Sequence, residues 1–166
     1  VQHASRFYLD QMLAHGTTSA LVFATVHKVS AEALFEEAFA RHLRLVAGKV
    51  LRDRGAPPGI CDTPEAGYLE SRALIRQWHG RGRLGYAVTP RFALTSSAEQ
   101  LEAAGRLLRE NPGVHLHTHL SENHEELSAV RRAYPECADY LAVYEKFGLA
   151  TSRAVFAHFI QLSDQE

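Results

Sequence analysis

The sequence predicts an α/β chain that is a partial (β/α)8 TIM barrel. Three observations carry that reading. Short apolar strand candidates alternate with helical stretches along all 166 residues. The intervals between strands are long enough for helical crossovers, which suits a parallel sheet. GxxxxGK[ST], the mark of P-loop sheets, is absent, and the one GxGxxG, Gly80 to Gly85, stands after a helix and before a strand, the reverse of the order that dinucleotide-binding sheets need. Eight β/α units need roughly 250 residues, so the strand candidates here fill part of one barrel. Residues 1–166 are accordingly expected to form a single incomplete barrel domain.

Each element has its own signal. Residues 2–15 carry Phe7, Met12 and Leu13 among good helix formers, and Gly16 stops the helix. The unbroken apolar run Ala20 to Val26 suits a strand covered on both faces. Ser30 opens a helix to His42, with Leu34, Phe35, Ala38 and Phe39 on one stripe. Leu43 to Val50 reads as a second strand. Gly55, Pro57, Pro58, Gly59 and Pro64 mark residues 53–64 as a loop. A helix over 65–79 precedes a strand over Leu84–Val88, ended by Thr89-Pro90. Ser97 caps a helix to Glu110, which Asn111-Pro112-Gly113 stops. Val114–Leu120 is the next strand. Helices over 123–133 and 136–147 are divided by Pro135, and Ala154–His158 is the last strand. Ser163 and Glu166 have the spacing of a capping box that announces a further helix. With a start at Val1, and the only methionine at Met12, that spacing favours a truncated chain.

Composition narrows the function. With 46% hydrophobic residues the chain can build a core, which excludes a disordered tail. A net charge of −1 excludes a nucleic-acid module whose affinity comes from phosphate attraction. No apolar run approaches the length of a membrane span, and the first residues lack signal-peptide order. Cys61 and Cys137 are too few for a disulfide framework or a Cys-rich zinc module, so a reducing cytoplasm is the expected setting.

The densest chemistry is Val114-His115-Leu116-His117-Thr118-His119-Leu120-Ser121-Glu122. Strand alternation puts His115, His117 and His119 on one face. His119 comes last, at the C-terminal strand end where barrels place their chemistry. Glu122 begins the next loop and can turn back over the same mouth. Imidazole there suits zinc, and a carboxylate beside it suits proton transfer. A lone strand histidine is more often structural; three alternating ones followed by Glu shift the balance towards a site. Glu125, Glu126 and His124 read as the solvated start of the next helix. His158 holds the equivalent mouth position one unit later, within reach of a metal shared with His119. Arg91 and Phe92 follow the preceding strand, the first a planar fork for a carbonyl or carboxylate, the second a stacking face for a flat ring. His3, His15, His27, His42 and His79 lack ligand spacing and read as structural or surface residues. HExxH, GxSxG and the P-C-x-x-C of the cytidine-deaminase pattern are absent.

With these residues in view, the chain resembles an internal segment of the guanine deaminase family, within the metal-dependent amidohydrolases. The likeness runs through Gly16-Thr17-Thr18, Val46-Ala47-Gly48-Lys49-Val50, YAVTPRF from Tyr86 to Phe92, HTHLSE from His117 to Glu122, Tyr134-Pro135, Ala157-His158 and Leu162-Ser163. The GTT match is widespread; TPRF combined with H-x-S-E is the specific element. The resemblance implies that the chain covers about strands two to six of the barrel with their helices, and that His119 and His158 are zinc ligands after the fifth and sixth strands. It implies that Glu122 shuttles protons, and that Arg91 and Phe92 hold guanine. The implied reaction is hydrolytic deamination of guanine to xanthine and ammonia, in a cytosolic homodimer. The family's H-x-H pair and its late Asp have no counterpart here, which implies an inactive isolated chain, and Asp164 is no substitute. Phe159 stands where the family usually has glycine, so the geometry at His158 is expected to be unusual. Two other readings stay open: an amidohydrolase acting on a related heterocycle, such as a triazine, and a non-catalytic half-barrel.

Overall fold

A computed structural model describes residues 1–166. In chain order the elements are α1 (Gln2–Ala14), β1 (Ser19–Phe23), α2 (Lys28–Ala40), β2 (Arg44–Gly48), β3 (Val50–Leu51), a 3-10 turn (Pro58–Ile60), α3 (Pro64–Trp78), β4 (Leu84–Pro90), α4 (Ala98–Glu110), β5 (His115–Leu120), α5 (His124–Ala133), α6 (Tyr140–Lys146) and β6 (Ala154–His158). Four of the six helix starts are fixed by a side-chain cap; α1 and α2 have none, and α2 begins at Lys28 after His27, so Ser30 lies inside its first turn and is not the expected cap. Side-chain oxygens of Thr63, Ser97, Asn123 and Asp139 accept from the backbone N–H three residues on, each satisfying a donor that has no intrahelical partner.

All strand pairs are parallel, in the order β1-β2-β4-β5-β6, with β3 continuing beside β4. Neighbours in space are neighbours in sequence, with no point where the order reverses. That is the winding of a barrel wall and not of a doubly wound sheet. The chain is therefore a parallel half-barrel with its helices packed outside, a partial TIM barrel. Every residue of β4 is buried, as a central strand covered on both faces requires. Outside β2 and β4, Phe35 stacks on Trp78 at 5.7 Å and on Tyr86 at 6.2 Å between ring centroids. Two glycines set close approaches. A Cβ on Gly48 would lie 1.8 Å from the Ala87 carbonyl oxygen, and one on Gly105 would lie 2.1 Å from that of Phe147.

Several expected boundaries move. The strand expected over 43–50 is broken at Lys49, whose side chain is wholly buried and pairs with Asp62 at 2.6 Å. β1 ends at Phe23, although Thr25 still accepts a backbone bond from Val50. β4 runs on through Thr89-Pro90, because a proline at the last rung lacks only a donor the ladder no longer needs there. The helix expected from 136 starts at Tyr140, where Asp139 provides the cap. After Ser163 the chain forms a turn in which Glu166 accepts from the Ser163 N–H at 3.0 Å. No helix is long and apolar enough to cross a membrane.

At the N-terminal end of the strands, His79 Nδ1 accepts the Tyr86 N–H at 3.1 Å. Burial, then the nearby charges of His115, Arg153 and Arg44, holds the His79 pKa below its ordinary value. Burial followed by Arg153 and Arg44 does the same to His115. The unfolded chain thus takes up protons near pH 6.5 that the folded chain refuses, so this part of the stability is intact above that pH and lost as pH falls below it. The urea midpoint is expected to fall between pH 7.5 and 5.5, and His115→Leu to reduce the fall; an unchanged pH dependence would acquit this histidine. Separately, Gly48→Ala is expected to destabilise by about 2–4 kcal/mol. Gly59→Ala, whose Cβ would meet nothing within 4 Å, is expected to leave the midpoint unchanged.

Candidate active site

Parallel pairing brings the C-terminal ends of β1, β2, β4, β5 and β6 to one rim. His119 lies opposite Ala157, and Leu120 opposite His158. The two imidazoles stand with ring centroids 5.3 Å apart. Glu122 Oε2 approaches His158 Nε2 at 3.6 Å. The three residues that the sequence marks for metal and proton chemistry therefore meet at one mouth.

One hydrogen bond orients His119. Its Nδ1 lies 2.8 Å from the Arg91 carbonyl oxygen. A carbonyl only accepts, so Nδ1 carries the proton and Nε2 keeps its lone pair, the tautomer a metal ligand needs. His158 is placed by strain. His158 has φ 70° and Phe159 φ 53°, and Ser121 across from them has φ 52°. Left-handed backbone in residues with a Cβ costs of order 1–3 kcal/mol each. Here it is held by Phe159 N–H to the Leu120 carbonyl at 2.8 Å, by Ile160 and Gln161 N–H to the Ser121 carbonyl, and by the Phe159 ring 5.9 Å from Phe156. The expected peculiarity of Phe159 is thus a left-handed turn made without glycine.

His117 shares the inner face with His119, under the Phe23 ring, whose centroid lies 3.9 Å from His117 and 4.6 Å from His119. Burial, with a smaller contribution from His119, pushes His117 down to about 4. His117 is a neutral, apolar-facing ring; its Nδ1 has no partner.

Arg91 and His119 line one cavity of about 300 Å³ with Phe23, Val26, Val50, Arg52 and Ile60. Phe92 does not line it. Its ring lies under the Arg91 guanidinium at 4.8 Å, and Phe23 supplies the aromatic wall. A larger cavity of about 450 Å³ lies between α5 and the chain's last residues, away from these groups. No group of three or more His, Cys, Asp or Glu side chains is gathered for a metal. The donor set present is two imidazoles, one with its free nitrogen fixed, beside a carboxylate. That set fits part of a zinc site.

The sequence assigns three supporting residues no role in the site. Glu126, expected on a solvated face, is 7% exposed, and its Oε2 accepts the Glu122 N–H at 3.2 Å. The turn back from β5 needs that bond, so the helix buries this carboxylate. Tyr144 is wholly buried, and its hydroxyl donates to the His119 carbonyl at 2.7 Å while accepting the Ala93 N–H at 3.3 Å. Burial pushes its pKa up to about 12, so it remains a neutral donor. Lys49, with Asp62 at 2.6 Å and Glu70 at 3.2 Å, ties the loop after β3 to α3. Asp62 in turn accepts the Arg52 N–H at 3.2 Å.

The profile of the Amidohydrolase family matches residues 1–166. The guanine deaminase of Escherichia coli is 49% identical over 162 residues, 98% of this chain and 37% of that protein. The solved structure of the E. coli guanine deaminase superposes with a TM-score of 0.97 at 48% identity, covering 99% of this chain and 38% of that one. A guanine deaminase from C. acetobutylicum, solved with guanine in its active site, gives 0.90 at 25% identity, covering 99% and 41%. The chain spans little more than a third of the length of these relatives.

Tyr144→Phe removes the hydroxyl that joins the ends of β4 and β5. It is expected to cost about 1–3 kcal/mol by leaving buried partners unpaired, read as a lower urea midpoint. A midpoint unchanged within error would mean the hydroxyl carries no such role.

Proposed function

The chain belongs to the amidohydrolase family, and from that premise we propose that its rim forms the middle of a zinc-dependent guanine deaminase active site. Residues 1–166 are then one part of a single barrel domain. The observation that carries the reading is the meeting of His119, His158 and Glu122 at one mouth, beside a cavity walled by Arg91 and Phe23.

The roles follow from the donors. His119 would hold zinc through Nε2, because Nδ1 is engaged by the Arg91 carbonyl. His158 would be the second ligand, presented by the left-handed turn at 158–159. Zinc, when bound, supplies Lewis-acid activation of water for attack on the aminated carbon. Glu122, on a loop fixed by Glu126, takes one proton from the attacking water and gives it to the adjacent ring nitrogen, then carries the second from the new hydroxyl to the amine, which leaves as ammonia while the carbonyl forms. Arg91 offers its fork to the purine carbonyl edge, and Phe92 packs beneath that fork and fixes its plane. Guanine and water give xanthine and ammonia. The substrate follows the relatives that share nearly all of this chain, one of them solved with guanine in its site. The TPRF element favours a purine over a triazine. We extend the reading to a cytoplasmic homodimer: the two cysteines are unpaired, and the dimer rests on the family resemblance alone.

The test grafts this chain in place of the matching segment of the E. coli guanine deaminase. The chimera is expected to release ammonia from guanine, and Glu122→Gln to lower kcat by at least about a hundredfold while keeping zinc. His119→Ala is expected to lower bound zinc. A folded, zinc-bound chimera that leaves guanine intact would refute the assignment.

A further inference from the structure

The cavity beside His119 holds a second guanidinium that the roles above leave unused. Arg52 lines it together with Arg91. Burial first, and then the positive charge of Arg52, hold the Arg91 pKa below its ordinary value, with Glu122 and Glu126 acting in the opposite sense. Neither guanidinium takes part in any of the chain's ion pairs. Arg52 Nη2 donates to the Gly55 carbonyl at 2.5 Å, but its Nε is out of contact with water and has no partner. An unpaired buried donor on a charged group is costly, and the rest of the wall, Phe23, Ala24, Val26, Val50 and Ile60, is largely apolar. The position is also fixed in advance. The Arg52 N–H is held by Asp62, and Asp62 by the buried Lys49.

We propose that Arg52 is a specificity-determining residue of this site: with Arg91 it takes the carbonyl and ring-nitrogen edge of a 6-oxopurine and rejects a 6-aminopurine. The inference rests on the purine-deaminase reading and adds to it. A guanidinium has donors and no acceptor. A 6-oxopurine offers acceptors at O6 and N7 along one edge, so two such cations find complementary charge there. A 6-aminopurine keeps N7 but turns an N–H donor towards the same cations at position 6, so one of them is left unpaired. Sites built to pair with one polar group discriminate strongly against an analogue that lacks it. The loop-pinning bond to Gly55 uses Nη2 alone and gives no account of the stranded Nε.

The test uses the full chain labelled with 15N-arginine and two soluble probes without a 2-amino group, hypoxanthine and adenine. Hypoxanthine is expected to shift the Nε–Hε signals of both Arg52 and Arg91 saturably, and adenine to bind at least tenfold more weakly. Arg52→Met is expected to raise the hypoxanthine Kd at least tenfold, and Arg52→Lys, which keeps the cation, to raise it less. Should Arg52→Met unfold, Arg52→Lys and the wild-type signals decide the matter. Hypoxanthine shifting Arg91 without Arg52, or binding equally well to the variants, overturns the role of Arg52 and leaves the purine reading standing. Equal affinity for adenine overturns the selectivity. No movement of any cavity signal overturns the purine reading, and the role of Arg52 with it.

Discussion

The bond from His119 Nδ1–H to the Arg91 carbonyl joins the two halves of the site's chemistry. It fixes which nitrogen of His119 is free, and it does so with the backbone of a residue whose side chain faces the cavity. On the proposed roles, ligand geometry and recognition geometry share one rung between β4 and β5. Tyr144 doubles that rung from behind by binding the His119 carbonyl and the Ala93 N–H. Thr118 adds a bond to the same Arg91 carbonyl at 3.3 Å. A rim assembled from separate strand ends keeps its shape because each end is held by its neighbour's backbone and not by a long side chain alone.

Much of this was legible in the sequence, for local reasons. Strand runs, the helix cap at Ser97 and the histidine alternation of β5 are set by neighbours a few residues apart. So was the meeting of His119, Glu122 and His158, because parallel βα winding puts strand ends at one rim. What stayed hidden depends on distant partners. Tyr144 lies on α6 and reads as one more apolar helix position; only the fold brings it beneath β5. Glu126 follows Glu125 in a run that looks solvated, yet it turns inward to the Glu122 N–H. Phe23, at the end of an apolar run, gives no sign that it and not Phe92 walls the cavity. Arg52 falls between the strand expected to Val50 and the Gly/Pro-rich loop expected from 53, and no motif marks it.

The buried Lys49 shows how the fold holds that loop in place. A lysine with no exposure needs its charge answered, and Asp62, Glu70 and the Val26 carbonyl answer it. Burial raises the Asp62 pKa, and Lys49 opposes that shift. Such pairs are weak sources of net stability, since desolvation consumes most of the attraction. Their effect is positional. Removing either partner strands the other, so the segment from Arg52 to Asp62 has one well-defined arrangement against α3.

The left-handed residues at 121, 158 and 159 have a consequence for how this sequence can change. Substitutions that relax a strained backbone are among the accessible routes to greater heat tolerance, and three of the chain's four non-glycine positions of this kind lie at the mouth. Selection for thermostability would press on the residues that aim His158 at Glu122. Ser121 and Phe159 contribute none of the donors His119, His158 and Glu122, so they can drift without loss of any donor, yet each shift alters where an imidazole points. A lineage that gained robustness there would reorient the His158 ring first, before any of those donors had been replaced.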